Sequence, residues 1–314
     1  MDQKIAVILP CYNEGQAIAK VIQEFRSYLP QASIYVYDNN SKDNTVAEAK
    51  NAGAIVAHET RQGKGYVIRR AFADVDADIY IMADGDGTYD ASVAAELIQT
   101  LRTQQLDMLV GARQDSEPGK LYRPGHKMGN WMLTNAIGVL FGFRFKDVLS
   151  GYRVFSRRFV KSFPALATGF EIEAMLTVHA LELDLPTEEM PTRYFERVEG
   201  TQSKLRTYHD GLRILLTIIN LFRQFRPLWF YGLFATFFTL ISTGIMLPIW
   251  LEYVQTGLVE RFPSAFLSVG VMVCALISLV CGLIMEHASR NHREKKYLQY
   301  LRYSAPKTLK NNEN

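Results

Sequence analysis

Ile79-Tyr80-Ile81-Met82-Ala83-Asp84-Gly85-Asp86-Gly87 is an apolar run that stops abruptly at two acids and two glycines. A short continuous apolar run bounded by turn residues reads as a strand buried on both faces. Similar runs occupy residues 5–9, 34–37, 55–57 and 108–110, and stretches of helical composition stand between them at 18–28, 46–51, 66–73 and 93–101. Strand and helix in regular alternation predict an α/β fold with a mainly parallel, doubly wound sheet flanked by helices. Ligands of such sheets bind beyond the carboxyl ends of the strands, so the residues just past each run carry the functional expectation.

Those residues are polar and largely acidic. Pro10-Cys11-Tyr12-Asn13-Glu14-Gly15 follows the first run, Asp38-Asn39-Asn40-Ser41 the second, and Gly111-Ala112-Arg113 ends the fifth. Asp84 and Asp86, one residue apart at a strand end, have the hard oxygen donors that hold Mg2+ or Mn2+ against a diphosphate. Taken alone, Asp-x-Asp is equally well two solvated turn residues; its weight comes from the buried run before it and the acids on neighbouring strand ends. Gly63-Lys64-Gly65 could approach a ligand closely, but a bare Gly-x-Gly is weak and reads as well as the start of the helix from Tyr66. His58, His126 and His179 lack ligand spacing and are read as structural. Cys11, Cys274 and Cys281 form no disulfide framework, in keeping with a reducing compartment.

The chain has 314 residues and a net charge of +3, and its hydrophobic content of 48% excludes a disordered or low-complexity chain. No nucleic-acid partner is expected. The charge is unevenly placed: residues 1–192 carry −4, 193–226 carry +4, 227–285 carry −1 and 286–314 carry +4. Between Arg226 and Glu252 lie 25 uncharged residues, and between Arg261 and Glu286 another 24. Each stretch exceeds the roughly 20 residues that cross a bilayer core. Trp229 and Trp250, about 31 Å apart along a helix, suit the two interfaces. Arg223 and Arg226 precede the first stretch and Arg290, Arg293, Lys295 and Lys296 follow the second, so the positive-inside rule puts both termini in the cytoplasm. Before the first stretch, Leu212, Leu215, Leu216, Ile219 and Phe222 recur at helical spacing among arginines, which predicts an amphipathic helix on an anionic membrane surface or against the domain before it. The expected organisation is a catalytic domain over 1–206, the amphipathic helix over 207–226, a transmembrane hairpin over 227–285 and a basic tail over 286–314, with the polar end after Pro306 disordered. Gly244, Gly270 and Gly282 are a weak signal for self-association of the spans into a homo-oligomer.

The ordered set Leu-Pro-x-Tyr-Asn-Glu, Asp-Asn-x-Ser-x-Asp-x-Thr, Gly-x-Gly, Asp-x-Asp, Gly-x-Arg, Asp-x-x-Ser-Gly-Tyr-Arg and Arg-x-x-Gly-x-x-Ser-Lys resembles the family 2 glycosyltransferases of GT-A fold. Within them it is most similar to the polyprenyl-phosphate glycosyltransferases, of the dolichol-phosphate mannose synthase and bactoprenol glucosyltransferase type. The resemblance covers about residues 4–225 and extends to the paired spans. It implies that Pro10, Tyr12 and Glu14 form the donor nucleotide loop, that Asp38 contacts the base, and that Asp84 and Asp86 hold the metal and diphosphate. It also implies that Arg113, Arg123 and Lys127 bind the acceptor phosphate, and that Asp147 and Arg153 line the catalytic cleft. Two departures stand out. Asn39 replaces the second acid of the common Asp-Asp-Gly-Ser motif, and no Gln-x-x-Arg-Trp motif is present, which speaks against a processive polysaccharide synthase.

The chemistry can be built from the residue types as well. Transfer from a nucleotide diphosphate needs the leaving charge neutralised, the natural task of a metal held by Asp86. A lipid phosphate is already largely anionic at neutral pH and needs positioning by cations, for which Arg197, Ser203 and Lys204 join Arg113, Arg123, Lys127 and Arg153. If a base is used, Asp147 is the first choice and the Glu171-Ile172-Glu173 pair its rival. The expected reaction is inverting transfer from a nucleotide sugar, UDP-glucose or UDP-N-acetylhexosamine before GDP-mannose, to undecaprenyl phosphate at a bacterial cytoplasmic membrane. A different lipid acceptor, or a silent scaffold that binds nucleotide sugar, are the alternatives.

Overall fold

The computed structural model describes residues 3–115, 124–142, 145–165, 169, 171–196 and 207–305, apart from the side chains of 115, 124–130 and 207–215. The strands are β1 (Ile5–Cys11), β2 (Ser33–Asp38), β3 (Ile55–His58), β4 (Ile79–Met82), β5 (Met108–Asp115), β6 (Arg153–Ser156) and β7 (Thr187–Tyr194). The helices are α1 (Ile18–Tyr28), α2 (Thr45–Asn51), α3 (Lys64–Asp74), α4 (Ala94–Thr103), α5 (Pro124–Phe141), α6 (Arg157–Ser162), α7 (Ile172–Glu182), α8 (Thr207–Phe225), α9 (Pro227–Thr256) and α10 (Phe262–Leu301). The strands form one sheet in the order β3-β2-β1-β4-β6-β5-β7, parallel throughout except for β6, which runs antiparallel between β4 and β5. The alternation of runs and helices therefore gives the expected doubly wound half, and the short β6 inserts into it. The chain divides into two compact units, Met1–Ile214 with Lys295–Asn314, and Leu215–Glu294.

In the first unit the sheet is covered on both faces, as its uninterrupted apolar strands require. Ile5, Val7, Leu9, Val36, Ile81 and Val154 pack with Ile18, Val21, Ile22 and Phe25 of α1 and Leu97, Ile98 and Leu101 of α4. On α1 the buried residues recur at three- and four-residue intervals, so one stripe suffices to fix the helix on the sheet. A second, aromatic cluster joins Phe72 to Tyr80, Phe155 and Phe163, and Phe159 to Phe155, Phe163 and His179. His179 is 2% exposed and its Nε2 lies 3.1 Å from Ser162 Oγ, the structural role its lack of ligand spacing suggested. Burial, helped by the charge of Lys296, pulls its pKa down to about 3 from 6.5. A neutral histidine in the fold and a titrating one in the unfolded chain mean that stability is full above about pH 6.5 and falls as the pH drops toward 3. Thermal unfolding followed between pH 7 and pH 5 is expected to show this loss, about 1.4 kcal/mol per pH unit once below pH 6.5, and His179→Gln to flatten it.

Beyond Glu294 the chain belongs to the first unit. Lys296 pairs with Glu182 at 2.6 Å, and Tyr300 Oη donates to Asp107 Oδ2 at 2.9 Å. Asp107, fully buried at the start of β5, also takes two bonds from Arg158, whose guanidinium lies 4.7 Å over the Tyr300 ring. The segment read as a basic tail is thus helical to Leu301 and tied to the sheet by buried charges; residues 306–314 lie outside the described ones.

In the second unit α9 and α10 are long and apolar enough to cross a membrane. They are joined by a reciprocal serine pair: Ser242 Oγ donates to Ser268 O at 2.8 Å and Ser268 Oγ to Ser242 O at 2.9 Å. Of the three glycines considered for self-association, Gly282 sits against Tyr231 and Leu228 of the same hairpin, whereas Gly244 and Gly270 have nothing near an added Cβ. Gly282 therefore serves the hairpin itself, by letting its two helices approach.

Candidate active site

The strands β1, β2 and β4 end side by side: Cys11 lies in register with Asp38, and Ala83 N–H donates to Ile8 O just before Asp84. Cys11 reports how much negative charge gathers here. Burial pushes its thiol well up, and Glu14, Asp38, Asp84 and Asp86 all add to the rise. A Cβ on Gly85 would overlap Cys11 Sγ, so the loop carrying Asp84 and Asp86 rests directly on the end of β1.

The loops after β1 and β2 hold each other through the side chains of the Asp-Asn-x-Ser-x-Asp-x-Thr stretch. Asn13 N–H donates to Ser41 Oγ at 2.9 Å, Glu14 N–H to Thr45 Oγ1 at 2.8 Å and Gly15 N–H to Asp43 Oδ2 at 3.0 Å. Against the effect of burial, bonds from Thr45 and the Gly15 amide hold Asp43 below the usual carboxylate range. Asp38 is 1% exposed, accepts from Ser41 N–H, and has His58 Nδ1 2.9 Å from Oδ2. His58, read from sequence as structural, is thus an immediate neighbour of the carboxylate expected at the base.

Asn39 is where the sequence departs from the common motif, and its amide uses both ends. Nδ2 donates to Glu59 O at 3.0 Å and Arg61 O at 2.8 Å, while Oδ1 accepts from Gly63 N–H at 2.7 Å. An aspartate could not make the first two bonds. Asn39→Asp is expected to lower stability by about 2 kcal/mol, since two carbonyls lose their donor beside a new charge, as read from the thermal unfolding of the purified protein. The stapled loop ends at Gly63, whose φ of 141° only glycine adopts without strain, and hands the chain to α3. The helix therefore starts at Lys64, two residues before the sequence suggested.

Lys64 is the residue this site adds to those singled out from sequence. Its Nζ lies 2.5 Å from Asp84 Oδ1 and 2.5 Å from Glu173 Oε1. Burial alone would lower its pKa, but the two carboxylates outweigh it and raise the ammonium well above the usual range. Glu173 is 4% exposed; burial raises its carboxyl, Lys64 pulls it partly back and Asp84 adds to the rise. Glu173 thus lies at the strand ends, while Glu171 accepts from Gly169 N–H. Glu171 is turned to its own loop. Asp86 is 4% exposed and accepts from Thr88 Oγ1 at 2.7 Å. Among the described residues no cluster of three or more His, Cys, Asp or Glu groups could hold a metal. Asp84 and Asp86 fit a hard divalent cation in the sense that they give two oxygen-donor side chains and leave the remaining positions to a ligand.

Arg113 and Asp147 are brought together. Nε meets Oδ2 at 2.7 Å, Nη2 meets Oδ1 at 2.7 Å, and the Arg113 N–H adds a third bond at 3.2 Å. Although burial opposes it, this pairing holds Asp147 below its usual pKa. A carboxylate so held is a weak base, and both of its oxygens are engaged by Arg113. Arg153, expected in the cleft, is 0% exposed. Its guanidinium donates to Ser150 O, Val148 O and Thr177 Oγ1, and burial lowers its pKa to about 10. It braces the 148–150 turn from inside and is no wall of the cleft. Arg123, Arg197, Ser203 and Lys204 lie outside the described residues, as does the Lys127 side chain. A cavity of about 1010 Å³ adjoins the pair, lined by Arg113, Asp147, Trp131, Asn135, Lys146 and Glu188 among others.

A GT-A sheet with acids converging on one edge is the frame of a sugar-nucleotide transferase, and comparison with known proteins agrees. Residues 6–163 match the model of glycosyl transferase family 2, and the chain belongs to that family. It is 30% identical to glycosyltransferase AglJ of Haloferax volcanii over 93% of this chain and 95% of the relative. It is 24% identical to polyprenol monophosphomannose synthase of Mycolicibacterium smegmatis over 63% of this chain and 80% of that protein. The fold is shared with glucosyl-3-phosphoglycerate synthase of Mycobacterium tuberculosis, crystallised with Mn2+, UDP and glucosyl-3-phosphoglycerate, at a TM-score of 0.57 and 21% identity over 69% of this chain and 79% of that one. The protein is a nucleotide-sugar glycosyltransferase related to the polyprenyl-phosphate sugar transferases.

Proposed function

We propose that the protein transfers a hexose, with inversion, from UDP-glucose or UDP-N-acetylhexosamine to undecaprenyl phosphate or a related polyprenyl phosphate. The observation that carries this reading is the convergence of strand ends that brings Asp38 into register with Cys11 and rests the Asp84-Gly85-Asp86 loop on Cys11, beside Glu14 in the loop after β1. So much negative charge at one sheet edge suits a cation shared with a diphosphate. Pro10, Tyr12, Glu14 and Asp38 take the nucleoside, and Asp84 and Asp86 would hold Mg2+ or Mn2+, which supplies charge neutralisation at the leaving diphosphate. The relative named for polyprenol supports the acceptor, and so do the two long apolar helices, largely exposed in the chain by itself. Leu216 and Ile219 of α8, 51% and 41% exposed, agree with a helix lying on a membrane surface that leads into the first span. The positive-inside pattern of the sequence supports a reading in which the catalytic unit and both termini face the cytoplasm.

The pairing of Asp147 with Arg113 agrees with a phosphate acceptor. An oxygen already anionic at neutral pH asks for no proton removal, only for positioning. Arg113 supplies part of it, and Arg123, Lys127, Arg197, Ser203 and Lys204 are assigned the rest. The test is transfer of radiolabelled sugar from a panel of UDP- and GDP-sugars to undecaprenyl phosphate by the detergent-purified protein, with and without EDTA. The expected result is lipid product from one donor, abolished by EDTA and restored by Mg2+ or Mn2+. Product on a diacylglycerol-type lipid alone would move the acceptor assignment, and donor binding without transfer to any lipid would favour a scaffold.

A further inference from the structure

Lys64 is 9% exposed in its side chain and stands between two carboxylates that come from distant parts of the chain, Asp84 after β4 and Glu173 in the first turn of α7. Without the ammonium, the two acids would share a poorly solvated space and repel each other. The third side is closed. A Cβ on Gly151 would lie 3.0 Å from Asp84 Oδ2, 3.2 Å from Lys64 Nζ and 3.2 Å from Tyr89 Oη, and the Gly151 N–H donates to that hydroxyl at 2.8 Å. Behind Lys64, the Asn39 staple on Gly63 fixes where α3 begins. The ammonium therefore stands at a defined place, between Asp84 and Glu173 and against the bonded pair of Gly151 and Tyr89.

What is placed is Glu173. Its Oε1 is taken by Lys64, while its Oε2 is buried without a hydrogen-bond partner among the described residues. A buried acceptor left in that state is costly unless a ligand supplies the donor. Its tether to Asp84 puts it at the diphosphate side of the site, where the group bonded to the diphosphate is the sugar. Resting on the donor reading proposed above, we infer that Lys64 is a positioning residue that ties Glu173 to Asp84 and so presents Glu173 Oε2 to a hydroxyl of the donor sugar.

The test compares UDP with UDP-glucose and UDP-N-acetylglucosamine, with GDP and GDP-mannose as controls, binding to the full-length detergent-purified protein by calorimetry with Mn2+ present. Glu173→Gln and Lys64→Met are each expected to weaken the UDP-sugar that the wild type binds by about tenfold, the size of one charge-assisted hydrogen bond. Affinity for UDP alone should stay within about twofold, and Lys64→Arg should keep most of the sugar affinity. The double variant should be no weaker than either single one, because one residue acts through the other. A parallel loss of UDP and UDP-sugar affinity would assign Lys64 to the diphosphate and overturn the inference; unchanged affinities, or additive losses in the double variant, would overturn it too. If Lys64→Met does not fold, Lys64→Arg and Glu173→Gln still decide. A wild type that binds none of these nucleotides overturns the proposed function and this inference together, whereas binding blind to both residues overturns the inference alone.

Discussion

Asp86→Asn abolishes most sugar transfer while the protein stays folded: the expected fall in kcat is about 100- to 1000-fold, the usual cost of losing one group that stabilises developing charge. The side chain is 4% exposed and accepts from Thr88 Oγ1 through one oxygen. Asparagine keeps the volume and, with its carbonyl toward Thr88, that bond, but it loses the charge a divalent cation needs. Steady-state transfer to undecaprenyl phosphate, beside a melting curve, checks this. Activity within threefold of wild type would remove Asp86 from the reaction.

The second large effect is at Arg113. Its bidentate pair with Asp147 is largely buried, with the two side chains 14% and 9% exposed. Arg113→Ala leaves a buried carboxylate without its cation, which costs about 3 kcal/mol in stability and also removes a positive group from the acceptor side. Asp147→Asn is the informative partner. If Asp147 only braces Arg113, transfer falls modestly, the acceptor KM rises more than kcat drops, and the pH profile keeps its shape. If Asp147 is the base, kcat collapses and the acid limb of the profile disappears. The observed geometry, with Asp147 held ionised by Arg113, predicts the first outcome.

The sequence was most informative where a residue's meaning is local. The apolar runs 5–9, 34–37, 55–57, 79–82 and 108–110 became strands because a strand buried on both faces has to be apolar throughout. β6 escaped this reading. It is four residues long and begins with Arg153, a buried cation whose partners, two carbonyls and a hydroxyl, are brought to it by the folded chain. β7, with Glu188, Glu189 and Pro191, is an edge strand whose residues are mostly at least partly exposed, so it carries no apolar run.

The same division runs through the site. Asp38, Asp84 and Asp86 were legible because acids just past a buried strand end have few structural reasons to be there. Lys64 was not, because nothing in Gly63-Lys64-Gly65 shows that the lysine turns inward between Asp84 and Glu173, 20 and 109 residues further on. The Asn39 departure gave no warning of its purpose, since both backbone carbonyls it serves lie on a loop more than twenty positions away or nearly so.

By itself, then, the sequence determined the layered α/β class, the acidic strand ends and the two apolar helices, all of which follow from which residues are apolar and where they stop. Only the tertiary structure decided which charges meet: that Asp147 is committed to Arg113, that Arg153 is an internal brace, that Glu173 rather than Glu171 reaches Asp84 through Lys64, and that the chain after Glu294 returns to Glu182 and Asp107. Burial is a property that single residues advertise, whereas the pairing of buried charges depends on distances between segments that no local pattern encodes.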